Sequence, residues 1–286
     1  MQNIDEGTFT LKQGPVAYRR CGNPNGRPLI AFHGWLDNLC SFDRLIAQSP
    51  EYDWLCIDLP GHGLSYHPPQ NTRSHWADYM DVLHELFGLI GPGPHHVVGH
   101  SLGAGLASMY AGIFPEQIAS LVLIDLIGSL VCEAEKAPLR LRESVLSYAR
   151  LDQTRISTYP DIQSAIKARQ AVTPLPDTLL APMITRNLIQ TAGAWQWRTD
   201  KRLLCPPAIG LTEEEIQYFL KRIASPTLLI APEQGLVLNH PIMLKRLHHM
   251  SQLKLEKTPG GHHVHMEYPE SVASLMANFF SIKSIS

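Results

Sequence analysis

The sequence has few cysteines, almost no net charge and no long hydrophobic run. Its five cysteines among 286 residues are odd in number and include no C-x-x-C spacing, which is typical of reduced thiols in a cytoplasmic protein. The formal net charge of −2 predicts no nucleic-acid partner. The longest apolar stretch, 121–132, contains Asp125 and is too short to span a bilayer. The first residues also lack the basic and apolar regions of a signal peptide, so we expect a cytoplasmic protein without membrane insertion.

Short apolar segments alternate with helical patterns along most of the chain. The segments predicted to be strands are 28–32, 54–58, 96–98, 120–124, 226–230 and 253–256. An opening hairpin is predicted over 9–18, and residues 73–90 repeat apolar side chains at helical spacing. This alternation predicts an α/β fold, in which helices cover both faces of a mostly parallel sheet. Active groups are then expected at the carboxyl ends of the strands.

The alternation stops between residues 128 and 222. This segment has helical patterns, several prolines and a helix start at Thr212, where three glutamates follow a favoured N-cap residue. Its length of about 95 residues far exceeds one connection between parallel strands. We therefore predict a helical cap, or lid, at 128–222, inserted after the sixth main strand of a core formed by 1–127 and 223–286. A run of ordinary crossover helices is the alternative.

The segment Gly99-His100-Ser101-Leu102-Gly103 lies between an apolar strand and a stretch of small residues typical of a helix. In that context G-x-S-x-G forms a nucleophile elbow, a sharp turn that exposes the serine hydroxyl. The glycines permit the tight turn and the close packing. The N–H of Leu102, at the helix start, is expected to face a developing oxyanion. Ser101 is thus predicted to be the nucleophile. The alternative is a turn serine in a similar fold that has lost its activity.

A catalytic serine needs a neighbouring base, which in this chain order lies near the C-terminus. Three histidines compete in the segment 260–267. His262 follows a glycine pair directly after the last predicted strand and is favoured. His263 is the second candidate, and His265 is expected to pack or to make a structural hydrogen bond. No matching ligand spacing occurs elsewhere, so no metal site is predicted.

Four segments resemble a known family: 33–38, 58–65, 99–103 and 261–265, which contain HGWLDN, DLPGHGLS, GHSLG and GHHVH. These segments are similar to those of the α/β-hydrolase superfamily, and within it to the serine hydrolase-like subgroup of capped Ser-His-acid hydrolases. The resemblance covers nearly the whole chain. It implies an α/β-hydrolase fold with an eight-stranded type of sheet and an inserted helical cap, and it implies neither a metal nor an organic cofactor.

The resemblance also implies roles for the loop at 33–38. The backbone N–H of Trp35 is expected to form the oxyanion hole together with that of Leu102. His33, Gly34 and Trp35 are expected to line the substrate pocket.

The sequence departs from the family pattern at the acid of the catalytic triad. Most members have an aspartate after the seventh strand, where this chain has Gly235. Asp125 ends the sixth strand, a position from which some members supply the acid. Glu233 lies in the usual loop, two residues early. Either carboxylate could hold the histidine tautomer if it reached the ring. Asp125 is favoured, and Glu233 stays open.

These residues together predict a serine hydrolase that cleaves carboxylic esters of small or medium acyl groups through an acyl-enzyme on Ser101. A small-molecule ester is the expected partner, and the chain is expected to be a monomer or a homodimer. Hydrolysis of thioesters or C–C bonds and perhydrolysis use the same triad and are alternatives. A ligand-binding protein on a hydrolase scaffold is the non-enzymatic alternative, since the usual acid is displaced.

Overall fold

The computed structural model describes residues 4–69, 72–73, 75–153 and 155–281. The strands within these residues are, in chain order, β1 Asp5–Leu11, β2 Gly14–Gly22, β3 Pro28–Phe32, β4 Asp53–Ile57, β5 His95–His100, β6 Ile118–Ile124, β7 Thr158–Tyr159, β8 Leu188–Thr191, β9 Ala194–Trp197, β10 Thr227–Pro232 and β11 Leu253–Thr258. The α-helices are α1 Asp43–Gln48, α2 Trp76–Ile90, α3 Leu102–Ile113, α4 Ala137–Ala149, α5 Ile162–Gln170, α6 Asp177–Arg186, α7 Glu213–Lys221, α8 Leu236–Asn239, α9 Pro241–Arg246, α10 Val264–Glu267 and α11 Pro269–Ser281.

Eight strands form one sheet in the order β1-β2-β4-β3-β5-β6-β10-β11. The hairpin of β1 and β2 is antiparallel, as is the pairing of β2 with β4. The strands β4, β3, β5, β6, β10 and β11 pair with one another in parallel. The predicted α/β fold with a mostly parallel sheet of eight strands is therefore confirmed. The parallel strands bring their carboxyl ends to one edge, which gathers the loops after β3, β5, β6 and β10.

The central strands are buried on both faces. In β3, Leu29 and Ala31 pack into one hydrophobic cluster with residues of α11, whereas Ile30 and Phe32 pack into a second cluster with residues of α2 and α3. Successive side chains of a strand point to opposite faces, so a continuous apolar run is what a sheet covered on both sides requires. This burial explains why the strands are recognisable in the sequence as short, fully apolar segments.

The segment between β6 and β10 contains α4 to α7 and a small antiparallel sheet in the order β7-β9-β8. Helix α7 has the predicted N-cap residue at Thr212, whose hydroxyl accepts a hydrogen bond from the N–H of Glu215 at 3.3 Å. The small sheet is a difference from the purely helical segment that the sequence predicts. Its strands have two to four residues, too few for an alternating pattern to be recognisable.

This inserted segment packs on the loops at the carboxyl edge of the main sheet. The amide of Asn38 donates to the carbonyl of Met183 at 2.7 Å, and the guanidinium of Arg186 donates to the carboxylate of Asp58 at 2.9 Å. Both contacts join the loops after β3 and β4 to α6. Among the described residues, no helix has the length and apolar character needed to cross a membrane.

Candidate active site

Ser101 occupies the sharp turn between β5 and α3, with φ of 48° and ψ of −114°. A positive φ is a strained conformation for a residue with a side chain. The turn is fixed by backbone hydrogen bonds, from the N–H of Ser101 to the carbonyl of Ile124 at 3.0 Å and from the N–H of Gly103 to the carbonyl of His33 at 3.0 Å. A Cβ on Gly103 would lie 2.0 Å from the carbonyl oxygen of Phe32, so this position requires glycine.

The side chains of Ser101, His262 and Asp125 form one chain of hydrogen bonds. The Oγ of Ser101 lies 2.9 Å from Nε2 of His262, and Nδ1 of His262 lies 2.7 Å from Oδ2 of Asp125. The three residues follow β5, β11 and β6, so the carboxyl edge of the sheet brings them together. A nucleophile, a base and a group that orients the base within hydrogen-bond reach are the arrangement used in nucleophilic catalysis.

Asp125 is fully buried and has a φ of 52°. Its carboxylate also accepts hydrogen bonds from the backbone N–H groups of Leu236, at 2.8 Å, and Val237, at 3.1 Å. These N–H groups open α8, in the loop after β10. The loop after β10, in which the resemblance places the acid of most relatives, therefore holds a carboxylate that follows β6. Glu233 lies in the same loop but is exposed, and the structure brings Asp125 to His262 instead.

Gly235 leaves the space that the carboxylate of Asp125 occupies. A Cβ built on Gly235 would lie 2.3 Å from Oδ1 and 2.5 Å from Oδ2 of Asp125. Such a contact is far below van der Waals distance, so either the carboxylate or the loop would have to move.

We expect the substitution Gly235→Ala to lower kcat about 10- to 100-fold on the esters that the sequence predicts as substrates, because a shift of the carboxylate misplaces His262. The measurement is steady-state kinetics together with the thermal unfolding midpoint. Gly88→Ala is the matched control: Gly88 is exposed on α2 with no atom within 4 Å of an added Cβ, and the change should stabilise the helix by about 0.5–1 kcal/mol without affecting kcat. A Gly235→Ala protein with the kcat of the unmodified chain would contradict this account of the acid.

The two predicted oxyanion-hole residues belong to different elements, the start of α3 and the loop after β3. Leu102 follows Ser101 and is the first residue of α3, where backbone N–H groups have no partner within the helix. Trp35 lies in the loop after β3, with half of its surface exposed, and its indole N–H donates to the carbonyl of Leu203 at 3.1 Å. The next residue, Leu36, has a φ of 61° and donates its N–H to Nε2 of His62 at 3.1 Å.

Of the three residues expected to line the substrate pocket, two are buried and one is exposed. The ring of His33 is fully buried, with Nδ1 donating to the carbonyl of Gly34 at 2.7 Å and Nε2 accepting from the N–H of Leu59 at 2.9 Å. Burial lowers the pKa of His33 to about 4, so it is neutral and supports the loop from inside. Gly34 is also buried. Trp35 alone of the three is exposed.

The buried carboxylate of Asp37 binds His263, the second of the two histidines that are candidates for the base. Nε2 of His263 lies 3.2 Å from Oδ2 of Asp37, so its ring is bonded there and away from Ser101. His100 donates from Nε2 to the carbonyl of His262 at 2.8 Å. Burial would raise the pKa of Asp37, but His263 and His100 hold it well below its usual range. Burial lowers the pKa of His100 to about 4.

The other oxygen of Asp37 accepts from the guanidinium of Arg169, on α5, at 3.0 Å. This contact was not predicted, because Asp37 and Arg169 belong to distant parts of the chain and nothing in either segment indicates the other. It links the inserted segment to the loop that carries Trp35. His265 is fully buried beside His100 and Phe42, with ring centroids 4.2 and 5.3 Å away, in agreement with the packing role expected for it.

Asp37, His100 and His263 offer donor atoms within 4.8 Å of one another, a spacing that a metal ion could use. Both carboxylate oxygens of Asp37 are already engaged, by Arg169 and by His263. Arg169 also neutralises the charge that would attract a cation. Hydrogen bonding therefore accounts for this group, and we assign no metal to it.

Comparison with known proteins agrees with this fold. Residues 29–275 match a family described as the alpha/beta hydrolase family. A serine hydrolase-like protein of Danio rerio is 24% identical over 277 residues, which cover 92% of this chain and 84% of that protein. The crystal structure of a hypothetical protein from Pseudomonas aeruginosa PAO1 is similar with a TM-score of 0.91 and 31% identity, covering 97% of this chain and 100% of that one. A thioesterase domain from the curacin biosynthetic pathway shares the fold, with a TM-score of 0.82 and 24% identity over 96% of this chain and 99% of that one.

Proposed function

The chain belongs to the alpha/beta hydrolase family, and on that premise we propose that it is a serine hydrolase that cleaves carboxylic esters of small or medium acyl groups. The observation that carries the proposal is the continuous hydrogen-bonded chain from Asp125 through His262 to Ser101. A displaced acid was the feature that favoured a ligand-binding protein over an enzyme. The contact of Asp125 with His262 supports the enzyme instead.

In the first half of the reaction Ser101 attacks the acyl carbon of the ester. His262 accepts the hydroxyl proton at Nε2 and then donates it to the leaving alcohol, while Asp125 accepts a hydrogen bond from Nδ1 and stabilises the imidazolium. The N–H groups of Trp35 and Leu102 stabilise the negative charge on the tetrahedral oxygen. The C–O bond of the ester breaks and an acyl-enzyme forms on Ser101.

In the second half a water molecule attacks the acyl-enzyme. His262 removes a proton from the water, and the same proton then passes to Ser101 as the acid product leaves. Asp125 keeps its buried position throughout, because its carboxylate is held by two backbone N–H groups as well as by His262.

We further propose that residues 128–222 form a cap over this site, on a core of 1–127 and 223–286. The cap contacts the loop that carries Trp35 at three points and so supplies walls there. Leu203 accepts a hydrogen bond from the indole of Trp35, and residues of α5 and α6 bind Asp37 and Asn38. The cytoplasmic location and the state as a monomer or homodimer stay predictions from the sequence.

The test is a fluorophosphonate probe, which reacts with an activated serine, followed by peptide mapping of the adduct. We expect a single adduct on Ser101 in the folded protein and none after heat denaturation, because only the folded chain brings His262 to the hydroxyl. Hydrolysis of p-nitrophenyl esters of increasing acyl length then measures the size of the acyl pocket. A folded protein whose Ser101 does not react would refute the proposal.

A further inference from the structure

A cavity of about 280 Å³ lies between the inserted segment and the loop after β3. Leu36, in that loop, is part of its lining, and α5, α6, β9 and residues 199–204 provide most of the rest. None of the three triad residues lines it. The cavity is therefore placed to hold a part of a substrate that is remote from the reacting carbonyl.

The cavity borders the loop that positions the oxyanion hole. Leu36 directly follows Trp35. Arg169, in the lining, donates to Asp37, and Met183, also in the lining, accepts at its carbonyl from Asn38. The three consecutive residues after Trp35 thus either line the cavity or make hydrogen bonds to residues that line it. The cavity therefore adjoins, through Leu36, the loop that carries Trp35.

The lining has an excess of positive charge. Arg155, Arg169 and Lys201 line the cavity together with a single carboxylate, Asp200. That carboxylate is already paired with the guanidinium of Arg202, through Nε at 2.9 and 3.0 Å. Asp200 therefore does not neutralise Arg155 or Lys201, and Arg169 is paired with Asp37 outside the lining.

The cations retain unused hydrogen-bond donors. Arg169 uses one terminal nitrogen on Asp37, whereas its other terminal nitrogen has no hydrogen-bond partner among the residues that the structure describes. Arg155 is exposed, and no hydrogen bond links its guanidinium to any other described residue. Lys201 donates to the carbonyl of Leu151.

We propose that this cavity binds a carboxylate, so that the preferred substrates are esters with a free carboxylate a few carbon atoms from the scissile bond. The inference rests on the proposed function. Arginine matches the two oxygens of a carboxylate with parallel donors. Apolar lining residues, among them Met183, Ile184 and Trp197, would hold the connecting carbon chain. Mono-esters of short dicarboxylic acids have this combination.

The experiment compares two esters of equal acyl length, p-nitrophenyl pentanoate and mono-p-nitrophenyl glutarate. We expect kcat/KM to be at least about tenfold higher for the glutarate ester, since hydrogen bonds to charged groups are strong. The preference should fall severalfold in Arg155→Gln and in Arg169→Gln. Lys167→Gln is the matched control, because Lys167 is an exposed cation on α5 outside the lining, and it should keep the full preference.

The possible failures are distinguishable. Ser101-dependent hydrolysis of both esters with equal kcat/KM would overturn the carboxylate site and leave the proposed function standing. If neither ester is hydrolysed, the proposed function is in doubt, and calorimetry with free glutarate tests the cavity by itself. Glutarate binding that weakens in Arg155→Gln but not in Lys167→Gln would then support the site, and no binding would overturn it.

Discussion

Replacing Ser101 by alanine should lower kcat for p-nitrophenyl ester hydrolysis by at least about 10⁴-fold. The alanine removes the nucleophile, whereas the oxyanion-hole donors and the substrate contacts remain. It also removes the hydroxyl that lies 2.9 Å from His262, so the base has no proton to accept. The turn itself should persist, because its backbone hydrogen bonds do not involve the hydroxyl.

The measurement is the steady-state rate of purified protein, together with the thermal unfolding midpoint to show that the variant is folded. Ser251→Ala is the control, since Ser251 is an exposed serine ahead of β11 and should leave kcat unchanged. A Ser101→Ala protein that retains more than about a hundredth of the rate would place the chemistry on another residue, because loss of a serine nucleophile costs far more than that.

The substitution Asp125→Asn should lower kcat by about 10⁴-fold. Asp125 accepts from Nδ1 of His262 and so keeps the lone pair of Nε2 towards Ser101. An asparagine can present its amide N–H₂ to Nδ1 instead, and the ring then carries its proton on the wrong nitrogen. The substitution is nearly isosteric, and its oxygen can still accept from the N–H of Leu236 or Val237, so the loop should keep its place.

Glu233→Gln is the matched control for the acid, because both carboxylates were open from the sequence. We expect kcat close to that of the unmodified protein for Glu233→Gln, since Glu233 is exposed and Asp125 occupies the position beside the ring. The reverse pattern, with a small effect at Asp125 and a large one at Glu233, would assign the acid to the loop after β10.

The fold and two of the three triad residues are predictable from local sequence. Strands buried on both faces are short apolar segments. Ser101 directly follows such a strand, β5, and His262 follows the partly buried edge strand β11 after a glycine pair. The choice between Asp125 and Glu233 is not local. It depends on how β6 and β10 lie side by side, on two N–H groups of α8 and on the space left by Gly235.

The sequence fails where a contact joins distant parts of the chain. His33 follows a strand and resembles a pocket residue, but the N–H of Leu59 reaches its ring and it is buried. The contact of Arg169 with Asp37 depends in the same way on how the inserted segment packs. The small sheet of the inserted segment was missed because its strands are too short to show a period.

The parallel pairing of β6 with β10 has a consequence for how the site comes into being. Leu121 is in register with Thr227, so this pair forms only after the whole intervening chain has been made and its ends have met. Closing so long a loop carries an entropic cost and is typical of slow folding. A nascent chain that ends before residue 227 contains Ser101 and Asp125, but neither the N–H groups that hold the carboxylate nor His262. On the proposed mechanism, the appearance of a reactive serine therefore reports the completion of folding, and it could be used to follow refolding in real time.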